Sequence, residues 1–217
     1  MTIKHIIFDL DGTLINSVPD IATALNHTLS LFNIPSVEES RVKNWVGKGI
    51  DTLLDYAIED AGTDQSIKEE ALNTIKKKYL ECCTEKTHLY ANVIETLSLL
   101  REKQIELTIA TNKPSAMISP ILRKLQIDSF FSLHIGGDEV TNKKPHPEML
   151  HKCMETLGFN SVQTLMVGDS SNDILAAKSA NIPVAALTYG YNHGQPIEDK
   201  NPDFILNSFD EIMKIIP

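Results

Sequence analysis

Two short acidic stretches carry the chemistry that can be read from this chain. Asp9 and Asp11 stand two residues apart in Phe8-Asp9-Leu10-Asp11-Gly12-Thr13-Leu14, directly after an apolar run. Late in the chain, Val167-Gly168-Asp169-Ser170-Ser171-Asn172-Asp173 again follows an apolar run. Carboxylates brought to one place repel one another unless a cation neutralises them, and a set of oxygen ligands selects a hard divalent ion. Mg²⁺ is the expected occupant, because it takes few protein carboxylates, keeps several waters and leaves positions for a phosphate. A carboxylate of the first stretch is then available for attack. Asp173 reads either as an orienting group behind the cluster or as the N-cap of the next helix.

Two further stretches supply phosphate contacts. In Thr111-Asn112-Lys113-Pro114 the Thr111 hydroxyl and the backbone amide at Asn112 are candidate donors to phosphoryl oxygens. In Lys143-Lys144-Pro145-His146-Pro147, Lys144 would balance the carboxylates and meet a phosphate as a point charge. An ordinary helix cap explains Thr111 and surface charge explains Lys144 when each is taken alone. Beside two acidic stretches those alternatives weaken.

These residues need a scaffold that gathers strand ends. Apolar runs at 3–8, 105–110, 131–135, 164–167 and 184–187, with a weaker one at 204–206, suit strands buried on both faces. Helical patterns lie between them. Asn92 is placed to cap one, Pro114 and Pro147 to open two more, Asn172 or Asp173 to begin another, and Ser208 to cap a last one. The expected fold is α/β, a Rossmann-like parallel sheet core with helices on both faces. In such sheets ligands collect beyond the carboxyl ends of the strands, where the acidic stretches fall.

Residues 16–88 break the alternation with helical patterns near 19–32, 37–45, 50–61 and 67–84 and no convincing strand. They are expected to form an inserted helical-bundle cap domain, leaving 1–15 and 89–217 as the core domain. The cap loop Trp45-Val46-Gly47-Lys48-Gly49 brings a charge between two glycines. Lys48 is a candidate contact for a substrate carboxylate, or else a solvated loop residue.

The four stretches, in this order and spanning nearly the whole chain, resemble the motifs of the haloacid dehalogenase superfamily of phosphatases. The insertion after the first motif is similar to that superfamily's helical cap of the first type. Within it, the stretches at 111–113, 144–147, 167–173 and 188–192 and the cap loop look most like the phosphoglycolate phosphatase group, from which the charged Lys48 departs. The resemblance implies a nucleophilic Asp9, a general acid and base in Asp11, and catalytic Thr111 and Lys144. It also implies Mg²⁺ held by the Asp9 and Asp169 side chains and the Asp11 carbonyl, and hydrolysis of 2-phosphoglycolate through an aspartyl-phosphate. Other small sugar or organic phosphates, and a phosphomutase reaction, remain open alternatives.

Composition narrows the partners. Over 217 residues, 20 Lys and Arg face 29 Asp and Glu for a formal charge of −9, and the one dense basic run, 76–78, is too short to grip nucleic acid. No apolar stretch is long enough for a membrane span. Three cysteines in no paired spacing suit a reducing cytoplasm. A small phosphorylated metabolite is the expected partner, and monomer or homodimer is left open.

Overall fold

The computed structural model describes residues 3–216. Strand β1 (His5–Phe8) leads to a two-residue strand β2 (Ile15–Asn16). Four helices follow: α1 (Val18–Leu31), α2 (Glu39–Lys43), α3 (Ile50–Asp60) and α4 (Lys68–Cys82). Strand β3 (His88–Leu89) returns antiparallel to β2. Helices and strands then alternate through α5 (Val93–Glu102), β4 (Glu106–Ala110), α6 (Ser115–Lys124), β5 (Leu133–Ile135), α7 (Glu148–Leu157), β6 (Thr164–Gly168), α8 (Ser171–Ser179), β7 (Val184–Leu187) and β8 (Phe204–Leu206).

The main sheet runs β5-β4-β1-β6-β7-β8 with every pair parallel. Alternation of side chains along each strand divides the core into two layers. Ile6, Phe8, Leu107, Ile109, Leu165 and Val167 face one layer with α5 and α6, whereas Ile7, Met166, Val184 and Ala186 face the other with α7 and α8. Because both faces are covered, the strands read as continuous apolar runs. The chain leaves β1 toward β4 and β5, then returns across β1 to β6, so strand order reverses beside β1. That reversal opens a crevice at the carboxyl ends of β1 and β6.

A small polar cluster around a histidine interrupts the second layer. His5 is fully buried, with Nε2 2.9 Å from Thr108 Oγ1, Nδ1 3.2 Å from Thr164 Oγ1 and its ring stacked on Phe159. Burial lowers its pKa from 6.5 to about 4, because the charged ring would be desolvated. The native state therefore binds this proton less readily than the unfolded chain. Its contribution is intact above pH 6.5 and is lost as pH falls through about 4, up to about 3 kcal/mol. Denaturation series between pH 7 and 4 should show that slope in the wild type and its loss in His5→Gln; equal slopes would refute the assignment.

Helices α1 to α4 pack together, α4 against both α1 and α3. The chain passes to and from this helical unit side by side. Ile15 pairs with Leu89 and Asn16 with His88, and the Tyr90 amide donates to the Leu14 carbonyl. The buried carboxylate of Asp20 on α1 accepts hydrogen bonds from the Lys86 and Thr87 amides and from the Thr87 hydroxyl, tying α1 to the returning segment.

Several elements differ from their sequence-based expectation. The expected helix 37–45 shrinks to Glu39–Lys43: the Asn26 side-chain amide holds the Val37 backbone by two hydrogen bonds, and Glu38 is extended before the helix starts. The expected strand 131–135 begins at Leu133, after a 3₁₀ turn at Asp128–Phe130. The last helix is a 3₁₀ segment, Phe209–Lys214. Asn92 precedes α5 in a left-handed conformation, and its side chain bonds Asp210 instead of capping the helix.

Candidate active site

The β1 ladder sets Asp9 in place. Its amide extends the pairing by donating to the Val167 carbonyl at 2.9 Å, which puts Asp9 beside the end of β6, where Asp169 follows. Asp9, Asp169 and Asp173 are all buried, and one carboxylate oxygen from each lies within 4.8 Å of the others.

Each of the three is held differently. Asp173 is the third residue of α8, and its Oδ2 accepts from the Ser170 amide and hydroxyl while Ser170 caps the helix. Its Oδ1 meets Lys144 Nζ at 2.6 Å. Asp173 is therefore not the N-cap, a place that Ser170 takes; it stands at the third helical position, where it bonds back to Ser170 and holds Lys144. Asp169 accepts from the Thr13 hydroxyl at 2.7 Å and the Tyr191 amide at 2.6 Å. Gly12, at φ +88°, and Gly190 give it room: a Cβ at either would lie 2.1 or 2.2 Å from Asp169 Oδ2. Asp9 Oδ1 lies 2.9 Å from Lys144 Nζ but accepts no aligned hydrogen bond from any described residue.

Lys144 is itself placed from the end of β4. The Asn112 side chain accepts from the Lys144 amide at 3.0 Å and donates to its carbonyl at 2.9 Å, clasping the loop before α7. Burial alone would lower the lysine's pKa, but Asp173 and Asp9 more than offset that and hold it up, so it is charged. One ammonium does not neutralise three carboxylates. Burial, only partly countered by Lys144, raises Asp9 to about 6, and burial with the neighbouring Asp173 and Asp9 charges raises Asp169 well above the usual carboxylate range.

That unrelieved charge fits a hard divalent cation. Asp9, with its unsatisfied buried oxygen, and Asp169 have oxygens to offer, whereas Asp173 is already occupied by Lys144 and Ser170.

Asp11 lines a cavity of about 40 Å³ between the sheet edge and the helical unit. Both its carboxylate oxygens accept from Lys113 Nζ, at 2.9 and 3.1 Å, and Lys113 also bonds the hydroxyl of Tyr79 on α4. Asp9, Thr111 and Asn112 line the same cavity on the core side; Ile21, Val46, Gly47, Gly49, Ile50 and Leu53 cover it. The cover is pinned where the Asn112 and Asn172 amides both donate to the Gly47 carbonyl, at 3.0 and 3.2 Å.

A strand-end nest of carboxylates with a buried lysine is shared by more than one kind of phosphoryl-transfer protein, so similarity to known chains decides the family. Residues 6–187 match the haloacid dehalogenase-like hydrolase family. The chain belongs to that family. This haloacid dehalogenase-like hydrolase is 41% identical over 213 residues to the phosphoglycolate phosphatase of Colwellia psychrerythraea, covering 96% of this chain and 94% of the relative. It is 42% identical to that of Mannheimia succiniciproducens, covering 98% of each. A crystal structure of a predicted phosphoglycolate phosphatase from Haemophilus somnus superposes with a TM-score of 0.94 at 39% identity, over 99% of this chain and 98% of that one. CbbY from Rhodobacter sphaeroides, at 19% identity and a TM-score of 0.82, shares the fold.

The hydrolase brings Asp9, Asp169, Asp173 and Lys144 into one cluster and Asp9, Asp11, Thr111 and Asn112 to one cavity. Lys48 stands apart. It is exposed, does not line the cavity, and donates to the Tyr56 hydroxyl at 3.1 Å over that ring. The cation that does line the cavity is Lys113, which sequence reasoning passed over as the third residue of a helix-opening stretch. Tyr79 was hidden too, since a tyrosine on the buried stripe of an amphipathic helix has no signal separating site from core.

Proposed function

We propose that this phosphomonoester hydrolase converts 2-phosphoglycolate to glycolate and phosphate, through an aspartyl-phosphate formed on Asp9. The observation that carries the reading is the pairing of Asp9 and Asp11 on the floor of one small, covered cavity, Asp9 backed by Lys144 and Asp169. The phosphoglycolate phosphatases to which the chain is about 40% identical support the choice of substrate. So does cavity size: at ~10–15 Å³ per water-sized position, about 40 Å³ admits a small organic group.

A carboxylate oxygen of Asp9 bonds to phosphorus as the ester P–O bond breaks, and Asp11, as general acid, delivers a proton taken up from solvent with the substrate to the departing glycolate oxygen. Water then attacks phosphorus, Asp11 takes its proton, and the Asp9 carboxylate is released with phosphate. The Thr111 hydroxyl, the Lys144 ammonium and the Asn112 backbone amide hold the phosphoryl oxygens, while the Asn112 side chain is spent on Lys144 and Gly47. The Asp9 and Asp169 side chains and the Asp11 carbonyl would hold Mg²⁺, which would supply charge screening between nucleophile and phosphate. Asp173 keeps Lys144 aimed at Asp9.

Residues 16–88 act as a cap that opens about the β2–β3 ribbon to admit substrate and closes to exclude water. Among the described residues no helix is long and apolar enough to cross a membrane, and the three cysteines are free and buried, in keeping with a cytoplasmic enzyme.

The test is phosphate release from 2-phosphoglycolate, sugar phosphates, nucleotides and an aryl phosphate, each with Mg²⁺ and with EDTA. Metal-dependent preference for 2-phosphoglycolate is expected. A preference for sugar phosphates would reject the substrate, and isomerisation of a sugar phosphate without phosphate release would make the enzyme a mutase.

A further inference from the structure

Once Asp9 and Asp11 are assigned as above, the position of the leaving group is constrained. Phosphorus lies against Asp9 and the ester oxygen against Asp11, so whatever the oxygen carries extends into the covered cavity. Its cover is apolar at Ile21, Val46, Ile50 and Leu53. Among the described lining residues one is basic, Lys113. Its side chain is 1% exposed, and its ammonium is already within 3.1 Å of both Asp11 oxygens. A group two bonds beyond the ester oxygen therefore falls within reach of the same nitrogen.

We infer that Lys113 is the specificity-determining residue of this site, receiving a carboxylate placed two bonds from the ester oxygen, with Tyr79 as its positioning residue on the helical unit. The assignment rests on the reading of Asp9 and Asp11 given above and names the part of that substrate the chain selects. An anion in the apolar pocket is costly unless paired, and Lys113 is the one cation there to pair it. A neutral leaving group of the same size leaves the ammonium with Asp11 and Tyr79 and gains no ion pair from it. Tyr79 holds the nitrogen through its hydroxyl, with the ammonium also 4.5 Å from the ring centroid. Because Tyr79 belongs to α4 and Lys113 to the core, the carboxylate contact is complete only when the helical unit is seated. Lys48, turned to Tyr56, has no part in it.

The experiment compares kcat/KM for 2-phosphoglycolate, for 2-hydroxyethyl phosphate, in which a hydroxymethyl group replaces the carboxylate, and for the homologue with the carboxylate one carbon further away. The wild type should prefer the first. Lys113→Met should slow all three, since Asp11 loses its partner, but the ratio of the first to the second should fall ~30-fold or more, largely in KM. Lys113→Arg should retain part of the ratio and Lys48→Met all of it. Calorimetry on Asp9→Asn against Asp9→Asn/Lys113→Met gives a readout without chemistry, the affinity for 2-phosphoglycolate falling in parallel. Should Lys113→Met not fold, Tyr79→Phe must lower the same ratio several-fold. A ratio unchanged in Lys113→Met, or lost in Lys48→Met, overturns the assignment. A wild-type ratio near one overturns instead the substrate reading on which it rests.

Discussion

Phosphate release by the Asp9→Asn protein is expected to fall by ~10⁴-fold or more, because the amide cannot form the bond to phosphorus. The same substitution should raise the melting temperature of the metal-free protein at neutral pH. Asp9 is held up at about 6 chiefly by burial, so above that pH its charge opposes folding, and the opposition is relieved as pH falls. An asparagine carries no such charge, and Lys144 keeps Asp173 as its partner. Loss of turnover combined with gain of stability is the signature of a strained functional group, not of a structural one. Wild-type turnover in Asp9→Asn would falsify the covalent route. Asp11→Asn should differ by retaining the metal-induced stabilisation while losing acid and base catalysis.

The second large effect is on stability through the metal. Three buried carboxylates against one lysine should make the folded state bind a divalent cation that the unfolded chain does not, stabilising it by about 2.7 kcal/mol at a hundredfold excess over Kd. For a chain of this size that corresponds to a rise of roughly 5–10 °C in Tm. Scanning with Mg²⁺ and with EDTA measures it. Asp169→Asn should lose most of the rise while starting from a more stable metal-free protein, since the Asp169 carboxyl is held above its usual range by burial. An equal Mg²⁺ shift in Asp169→Asn would place the ion elsewhere. EDTA should stop phosphate release and added Mg²⁺ restore it.

The strands of the main sheet were legible because burial on both faces leaves an apolar run, and the acidic stretches were legible because they follow those runs at the strand ends. The β2–β3 ribbon was not, since two-residue strands carry no periodicity: Ile15–Asn16 and His88–Leu89 pair only because the helical unit between them brings its ends together. Asp20 was equally silent. It looks like an ordinary acid in the first turn of a helix, and its partners at 86 and 87 lie some sixty-six residues away. The site divides the same way. Groups fixed by the backbone just after a strand, such as Asp9 and Asp169, could be read from position in the chain. Lys48 and Lys113 could not be told apart, because which lysine faces the cavity depends on side-chain direction: Tyr56 draws one outward, and Asp11 with Tyr79 draws the other in.

The covalent intermediate is the most direct test. Enzyme mixed with 2-phosphoglycolate carrying a radiolabelled phosphoryl group and Mg²⁺, quenched in acid during turnover and digested, should yield label on the peptide containing Asp9. The label should be absent with EDTA and absent in Asp9→Asn. Label-free enzyme under conditions of steady phosphate release, or label on any other residue, would contradict the account.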